Sequence, residues 1–184
     1  MSAFCEQAWR ELSAVTARVD QAQVERACDM IVSAKAIMLY GCGREGLQMR
    51  GLAMRLHHLG KRVAMQGDMA APPIGAGDLF IASAGPGELA TVAALIGVAR
   101  NAGAEILFIT AEPAARSAQL ADLILVVPAQ TMASDQDPNK TSVLPMGSLF
   151  EGAMFVLFEQ MVERVRQKLG ITMQAMRANH TNME

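Results

Sequence analysis

Five short apolar runs recur along the chain and constrain its fold more than any other feature. They are AIMLYG (36–41), RVAMQ (62–66), DLFIAS (78–83), EILFIT (105–110) and LILVVP (123–128). Most of them do not alternate between apolar and polar residues, which is typical of strands buried on both faces of a parallel sheet. Helical segments between the runs supply the crossovers that parallel strands need. The pattern predicts a three-layer, doubly wound α/β fold with a five-stranded parallel sheet.

Helical spacing of apolar residues marks the other segments. Residues 2–34 indicate either two helices with a break near Asp20 or one bent helix, and Arg44–Leu59 predicts a helix that Gly60 ends. A polar loop at 129–146 precedes a final amphipathic helix at Ser148–Lys168. No repeat or linker divides the chain. We therefore expect a single domain over 1–184, with residues 1–34 as its N-terminal helical segment.

Composition excludes several classes of function. The net charge is −2 and both signs are scattered, so no basic stripe predicts nucleic-acid binding. No apolar stretch approaches the ~20 residues of a membrane span. The cysteines, Cys5, Cys28 and Cys42, lack metal-ligand spacing, and their odd number favours a reducing compartment. We expect a cytoplasmic protein without nucleic-acid or membrane partners, in which Cys42 fills a tight turn; a nucleophilic Cys42 is the alternative.

Two glycine loops follow the first and third predicted strands. They are GCGREG (41–46) and AGPGEL (84–89), and they meet at one edge because parallel strands all end there. Each opens a helix, whose N-terminus attracts anions. GCGREG matches G-x-G-x-x-G, and Asp68 lies roughly where a ribose-binding acid would stand, so a dinucleotide site is one interpretation. Against it, Arg44 and Glu45 crowd the turn that a pyrophosphate would approach.

Five motifs in order carry a family resemblance. GCGREG, MRLHHLG, GDLFIASAGPGE, PMGSLFE (145–151) and the terminal NHTNME resemble the SIS (sugar isomerase) domain family and, within it, the 6-phospho-3-hexuloisomerases. The resemblance implies a flavodoxin-like strand order, aldose–ketose isomerisation of a sugar or sugar phosphate, and no metal or cofactor. It also implies a homo-oligomer, with a tetramer as the expected state, in which active sites are shared and the tail (172–184) docks on a neighbouring subunit.

The same resemblance implies the site residues. Glu151 matches the catalytic base, and His58 matches a catalytic histidine supplied by a neighbouring subunit. His180, Asn182 and Glu184 match the terminal motif. The residues expected to bind substrate are Gly43, Arg44, Glu45, Gly85, Gly87, Glu88, Ser148 and His180.

Structural alternatives remain open for three of these residues. Glu151 could form a capping box with Ser148 at the start of a helix. His58 could interact with carbonyls at a helix end, and Arg44 could be a solvated loop charge. The sequence alone does not separate these roles from functional ones.

Both loops depart from the family's pattern. The family's second loop reads Ser-Gly-Ser-Gly-Glu-Thr, whereas Ala84, Pro86 and Leu89 here lack the three phosphate-binding hydroxyls. Glu45 replaces a serine of the first loop and so places a carboxylate where a substrate phosphate would bind. Two like charges ~4 Å apart repel by about 4 kcal/mol at an effective dielectric near 20. Alternatively, Glu45 turns outward and supports its helix N-terminus. The sequence thus predicts an isomerase with an altered phosphate-binding loop.

Two other functions stay open beside that one. A noncatalytic SIS protein could bind a sugar derivative as a sensor or partner. An ordinary phosphosugar isomerase could hold its phosphate with Arg44 and the backbone N–H groups that remain.

Overall fold

Five parallel strands form one sheet, as the apolar runs predict. The computed structural model describes residues 2–136 and 140–183. The strands are β1 (Ile37–Gly41), β2 (Val63–Met65), β3 (Leu79–Ser83), β4 (Glu105–Thr110) and β5 (Leu123–Val126), in the order β2-β1-β3-β4-β5. All four strand pairs are parallel. The doubly wound fold with flavodoxin-like order is therefore confirmed.

Six α-helices and one short 3₁₀ helix connect and flank the strands of the described chain. They are α1 (Ala3–Thr16), α2 (Gln21–Ser33), α3 (Gly43–His58), α4 (Ala90–Asn101), α5 (Ser148–Leu169) and α6 (Met173–Ala178), with the 3₁₀ helix at Ser117–Leu120. The N-terminal segment forms two helices, because Asp20 caps α2 by accepting a hydrogen bond of 2.8 Å from the Ala22 N–H.

The two faces of the sheet are covered unequally. Helices α1, α2, α3 and α5 bury one face, into which Ile37 and Leu39 of β1 point. Helix α4 and the 3₁₀ helix cover the other, where Phe80 and Ala82 of β3 are buried. The β4–β5 connection thus carries a single 3₁₀ turn where the alternating pattern predicts a full helix. Helix α5 packs so closely on α1 that a Cβ at Gly152 would lie 2.9 Å from the Leu12 side chain.

The polar tail is ordered against its own chain. Thr172 caps α6 by accepting a hydrogen bond of 3.1 Å from the Ala175 N–H, and Met176 is buried beside α3. The Asn179 Nδ2 group donates a hydrogen bond of 3.0 Å to the backbone carbonyl of His58 at the end of α3. Docking of the tail on a neighbouring subunit stays a prediction, and Glu184 lies outside the described residues. Within the part of the chain that is described, no helix is both long and apolar enough to cross a bilayer.

Candidate active site

A cavity of about 580 Å³ lies where the loops after β1 and β3 meet the start of α5. Strand order reverses between β1 and β3, and such a switch point is where doubly wound folds bind ligands. The predicted site residues that line it are Gly43, Arg44, Glu45, Glu88 and Glu151, joined among others by Cys42, Pro86, Leu89, Met146, Gly147 and Phe150.

Close backbone approaches explain the glycines of these loops. A Cβ at Gly46 would lie 2.6 Å from the carbonyl oxygen of Gly41, so glycine lets α3 begin directly against the end of β1. A Cβ at Gly85 would lie 3.1 Å from both the Glu45 carboxyl group and the Phe150 ring. The two loops are therefore packed against each other, as their place at one sheet edge predicts.

Glu45 turns inward, toward the second loop. Its carboxyl group accepts a hydrogen bond from the Gly85 N–H, with N–O distances of 3.0 and 3.1 Å, and another from the Ser83 hydroxyl. Burial raises the pKa of Glu45, and the bonds from Ser83 and Gly85 oppose that rise. The alternative of an outward-facing Glu45 is wrong, because donors at the end of β3 satisfy its carboxyl group.

Arg44 joins the first loop to the start of α5. Its guanidinium donates to the Met146 carbonyl, donates to the Ser148 hydroxyl at 2.9 Å and lies 3.2 Å from the Glu151 carboxylate. It is therefore more than a solvated loop charge. The capping-box alternative is also wrong, because the residue that caps α5 is Gly147, in the left-handed conformation, and the Ser148 hydroxyl instead accepts from Arg44.

Glu151 has the environment of a carboxyl group that can exchange protons. Its side chain is 15% exposed and lies in the first turn of α5. Burial raises its pKa, Arg44 lowers it, and the charge of Glu45 raises it further. A carboxylate whose pKa is raised is a stronger base, once ionised, than an exposed one.

Gly87 and Glu88 shape the far side of the second loop. Gly87 has a φ of +85°, and a Cβ there would lie 2.7 Å from both Ala115 and Glu112. Glu88 accepts hydrogen bonds from the N–H and the hydroxyl of Ser117, at 3.0 and 2.8 Å. The Glu88 carboxylate is thus held at the start of the 3₁₀ helix, although the residue also lines the cavity.

His58 and His180 lie together in a second cavity, apart from Glu151. Their ring centroids are 5.1 Å apart, and both line a space of about 720 Å³ with Arg55, Arg177 and Asn182. This cavity is at the end of α3, whereas Arg44 is at its beginning, roughly 20 Å away for a helix of this length. One chain therefore does not bring His58 to Glu151, and completion of the site by a neighbouring subunit stays a prediction.

The sequence did not single out some residues that organise the site. Ser83 binds Glu45, and Asp135 accepts a hydrogen bond from the Met146 N–H, which fixes the peptide next to Arg44. Only the position of Ser83 at the end of a predicted strand could have signalled its role. Asp68, by contrast, accepts a hydrogen bond of 3.1 Å from the Met65 N–H and closes its own turn. Over residues 2–136 and 140–183, no group of three or more His, Cys, Asp or Glu residues could hold a metal ion.

Comparison with known proteins connects this site to a family. The family model described as SIS domain matches residues 30–150. The 3-hexulose-6-phosphate isomerase of Methylomonas aminofaciens is 34% identical over 163 residues, which cover 87% of each chain. That of Mycobacterium gastri is 33% identical over 174 residues, covering 95% of this chain and 86% of that one.

Solved structures agree with the sequence comparison. One crystal structure of a hypothetical protein superposes with a TM-score of 0.88 at 26% identity, covering 98% of this chain and 95% of that chain. Another, of a hypothetical protein from Methanococcus jannaschii with the inferred function of 3-hexulose-6-phosphate isomerase, gives 0.84 at 23% identity and covers 98% of both chains. The resemblance found in the sequence motifs is confirmed: the chain belongs to the SIS domain family.

Proposed function

We propose that the protein is a sugar isomerase that moves a carbonyl group between adjacent carbons through an enediol, with Glu151 as the base. The observation that carries the proposal is the half-buried Glu151 side chain, which lines the cavity at the switch point beside the Arg44 guanidinium. The names of the relatives from Methylomonas aminofaciens and Mycobacterium gastri support the reaction class.

The geometry suits a proton transfer between carbon atoms. Ionised Glu151 takes the proton from the hydroxyl-bearing carbon beside the carbonyl group and returns it to the former carbonyl carbon, while a proton moves in the same sense from the hydroxyl oxygen to the former carbonyl oxygen. Arg44 stabilises the ionised form of Glu151 and orients it through a contact of 3.2 Å. Arg44 is itself fixed by the Met146 carbonyl and the Ser148 hydroxyl, so the base is held in place before the sugar binds.

His58 and His180 complete a neighbour's site in this proposal. An imidazole can move the proton between the two sugar oxygens, because its pKa lies near neutrality. The pair lies at the far end of α3, so it can serve a cavity only across a subunit interface. Exposed aromatic side chains support such an interface: Phe4 and Trp9 on α1 and Phe155 on α5 are each more than half exposed. We propose a homotetramer with shared sites.

The loop after β3 is altered as a phosphate site in this enzyme. Ala84, Pro86 and Leu89 carry no hydroxyl group with which to hold a phosphate. In the same loop, the Gly85 N–H donates its hydrogen bond to the Glu45 carboxyl group. Proton transfer by Glu151 does not require the loop after β3. The reaction and the binding of the sugar by that loop can therefore be tested separately.

Solvent deuterium incorporation into the sugar tests this function. The protein is incubated in D₂O with a panel of hexuloses, free and phosphorylated, and C–H exchange is followed by NMR. Glu151→Gln should keep binding but lower exchange by 10²-fold or more, because the geometry stays and the proton acceptor is lost.

Glu163→Gln, on the same helix, is the matched control. Glu163 is exposed, pairs with Arg166 at 2.7 Å and lines neither cavity, so exchange should be unchanged. Undiminished exchange in Glu151→Gln would mean that another residue is the base, and His58 would be the next candidate. Wild-type protein that binds a sugar without exchanging any proton would support a noncatalytic binding function instead.

A further inference from the structure

The apex of the loop after β3 offers a ligand few backbone donors. The Gly85 N–H donates to Glu45, and the Gly87 N–H donates to the Ala84 carbonyl at 2.9 Å. Pro86, between them, has no N–H. A strand–loop–helix junction normally points such groups at an anion. Here the Gly85 and Gly87 N–H groups are already bonded within the protein. Residues 85–87 therefore offer no free backbone N–H group to a phosphate.

The Ser83 hydroxyl is engaged in the same way. It donates to Glu45 from the end of β3. Phosphate oxygens need several donors at once to leave water, and a dianion that displaced the Glu45 carboxylate would leave that carboxylate buried without partners. Freeing these donors from Glu45 therefore weakens the binding of a phosphorylated ligand, which needs them, and does not affect a ligand without phosphate.

The charges around the cavity act in the same direction. Three glutamates line it, Glu45, Glu88 and Glu151, of which Glu88 has its carboxylate bonded to Ser117. Among the described lining residues Arg44 alone is basic, and its guanidinium already contacts Glu151, Ser148 and Met146. A phosphate dianion that entered here would meet the carboxyl groups of Glu45 and Glu151, and none of the described lining residues would offer it an uncommitted cation. A sugar hydroxyl would meet a carboxylate that can accept another hydrogen bond, because a carboxylate has about four acceptor positions.

We propose that Glu45 is a built-in substitute for a substrate phosphate, so that the sugar end held by this loop carries a free hydroxyl and the substrate is an unphosphorylated sugar. The proposal rests on the function proposed above, whose site it shares. Glu45 then sets specificity: it fills the anion position, accepts a hydrogen bond from the sugar hydroxyl and excludes phosphate esters by charge.

Calorimetric binding of a matched pair of sugars tests the proposal. Fructose and fructose 6-phosphate differ only in the phosphate, and binding is measured whether or not turnover occurs. At pH 8 the wild-type protein should bind the phosphate ester no more tightly than fructose. Glu45→Gln, a nearly isosteric change, should shift the affinity ratio about tenfold toward the ester, because it removes the repulsive charge.

A combined variant asks whether the whole loop can be rebuilt. Glu45→Ser with Ala84→Ser, Pro86→Ser and Leu89→Thr restores hydroxyl donors and one backbone N–H. The ratio should then shift by about a hundredfold or more toward the ester, because hydrogen bonds to a charged acceptor are the stronger ones. If this variant does not fold, as judged by circular dichroism, the Glu45→Gln result decides.

Glu112→Ser is the matched control for net charge. Glu112 is exposed beside Gly87 but does not line the cavity, so its removal should leave the ratio unchanged. Preferential binding of the ester by the wild type would overturn the proposal, and so would a ratio that Glu45→Gln leaves unchanged or that Glu112→Ser shifts equally. None of these results depends on Glu151. A failure here would leave the isomerase proposal standing, and a failure of the exchange experiment would leave Glu45 as the residue that selects unphosphorylated ligands but not substrates.

Discussion

The ion pair between Arg44 and Glu151 should control the pKa of the proposed base. Replacing Arg44 by methionine removes a positive charge 3.2 Å from the carboxylate. With the dielectric constant of water, Coulomb's law gives about 1.3 kcal/mol at that distance, or about one pKa unit. Glu151 is 15% exposed, which lowers the effective dielectric constant, but Arg44 is 48% exposed and solvent screens its charge. We expect the pKa of Glu151 to rise by about one to two units.

NMR measures this shift without requiring activity. The side-chain carboxyl resonance of ¹³C-labelled glutamate is titrated in the wild type and in Arg44→Met, and Glu151→Gln assigns the signal. The acid limb of kcat/KM should move to higher pH by the same amount, because the base works only when ionised.

Arg50→Met is the control for this experiment. It removes the same charge from the same helix, but Arg50 lies 3.9 Å from Asp68 in an exposed pair. It should leave the Glu151 titration almost unchanged. An unchanged or lowered pKa in Arg44→Met would refute the reasoning that this ion pair keeps Glu151 ionised.

Three further predictions follow from burial and exposure. Burial raises the folded-state pKa of Glu45, so its contribution to stability is complete below the unfolded value of about 4.5 and is lost as pH rises through the folded value. Glu45→Gln should therefore gain stability relative to the wild type as the pH rises above about 4.5 in urea titrations, and a difference that does not change with pH would contradict this. Phe150→Ala should lower the free energy of unfolding by about 3–5 kcal/mol, because this ring is fully buried; a loss below 1 kcal/mol would contradict its place in the core. Light scattering at micromolar concentration should show a tetramer that Trp9→Lys with Phe155→Lys dissociates, and a wild-type monomer would refute the shared-site proposal.

Local sequence was sufficient for the elements of this fold. A strand buried on both faces is apolar along most of its length, so β3, β4 and β5 could be recognised from single runs of residues. Asp20 and Gly60 marked helix ends for an equally local reason, since caps satisfy backbone groups within one turn. The 3₁₀ helix at Ser117–Leu120 was missed, because alternation predicts that a crossover exists but not its length.

The glycine loops and the family motifs also placed the site at the correct edge. That edge follows from strand direction alone, because every parallel strand ends on the same side of the sheet. The motifs named Arg44, Glu45 and Glu151, which do line one cavity. The partner of each side chain was not available from the motifs.

Those partners depend on which strands and helices are neighbours. Glu45 reaches donors 38 and 40 residues away, at Ser83 and Gly85, because β1 lies beside β3 in the sheet. Arg44 meets Ser148 across 104 residues, because α5 begins above the same edge. Periodicity and capping determined the elements from the sequence by itself. Only the tertiary structure decided that Glu45 faces inward onto its own loop, since that choice depends on donors that sheet order brings together.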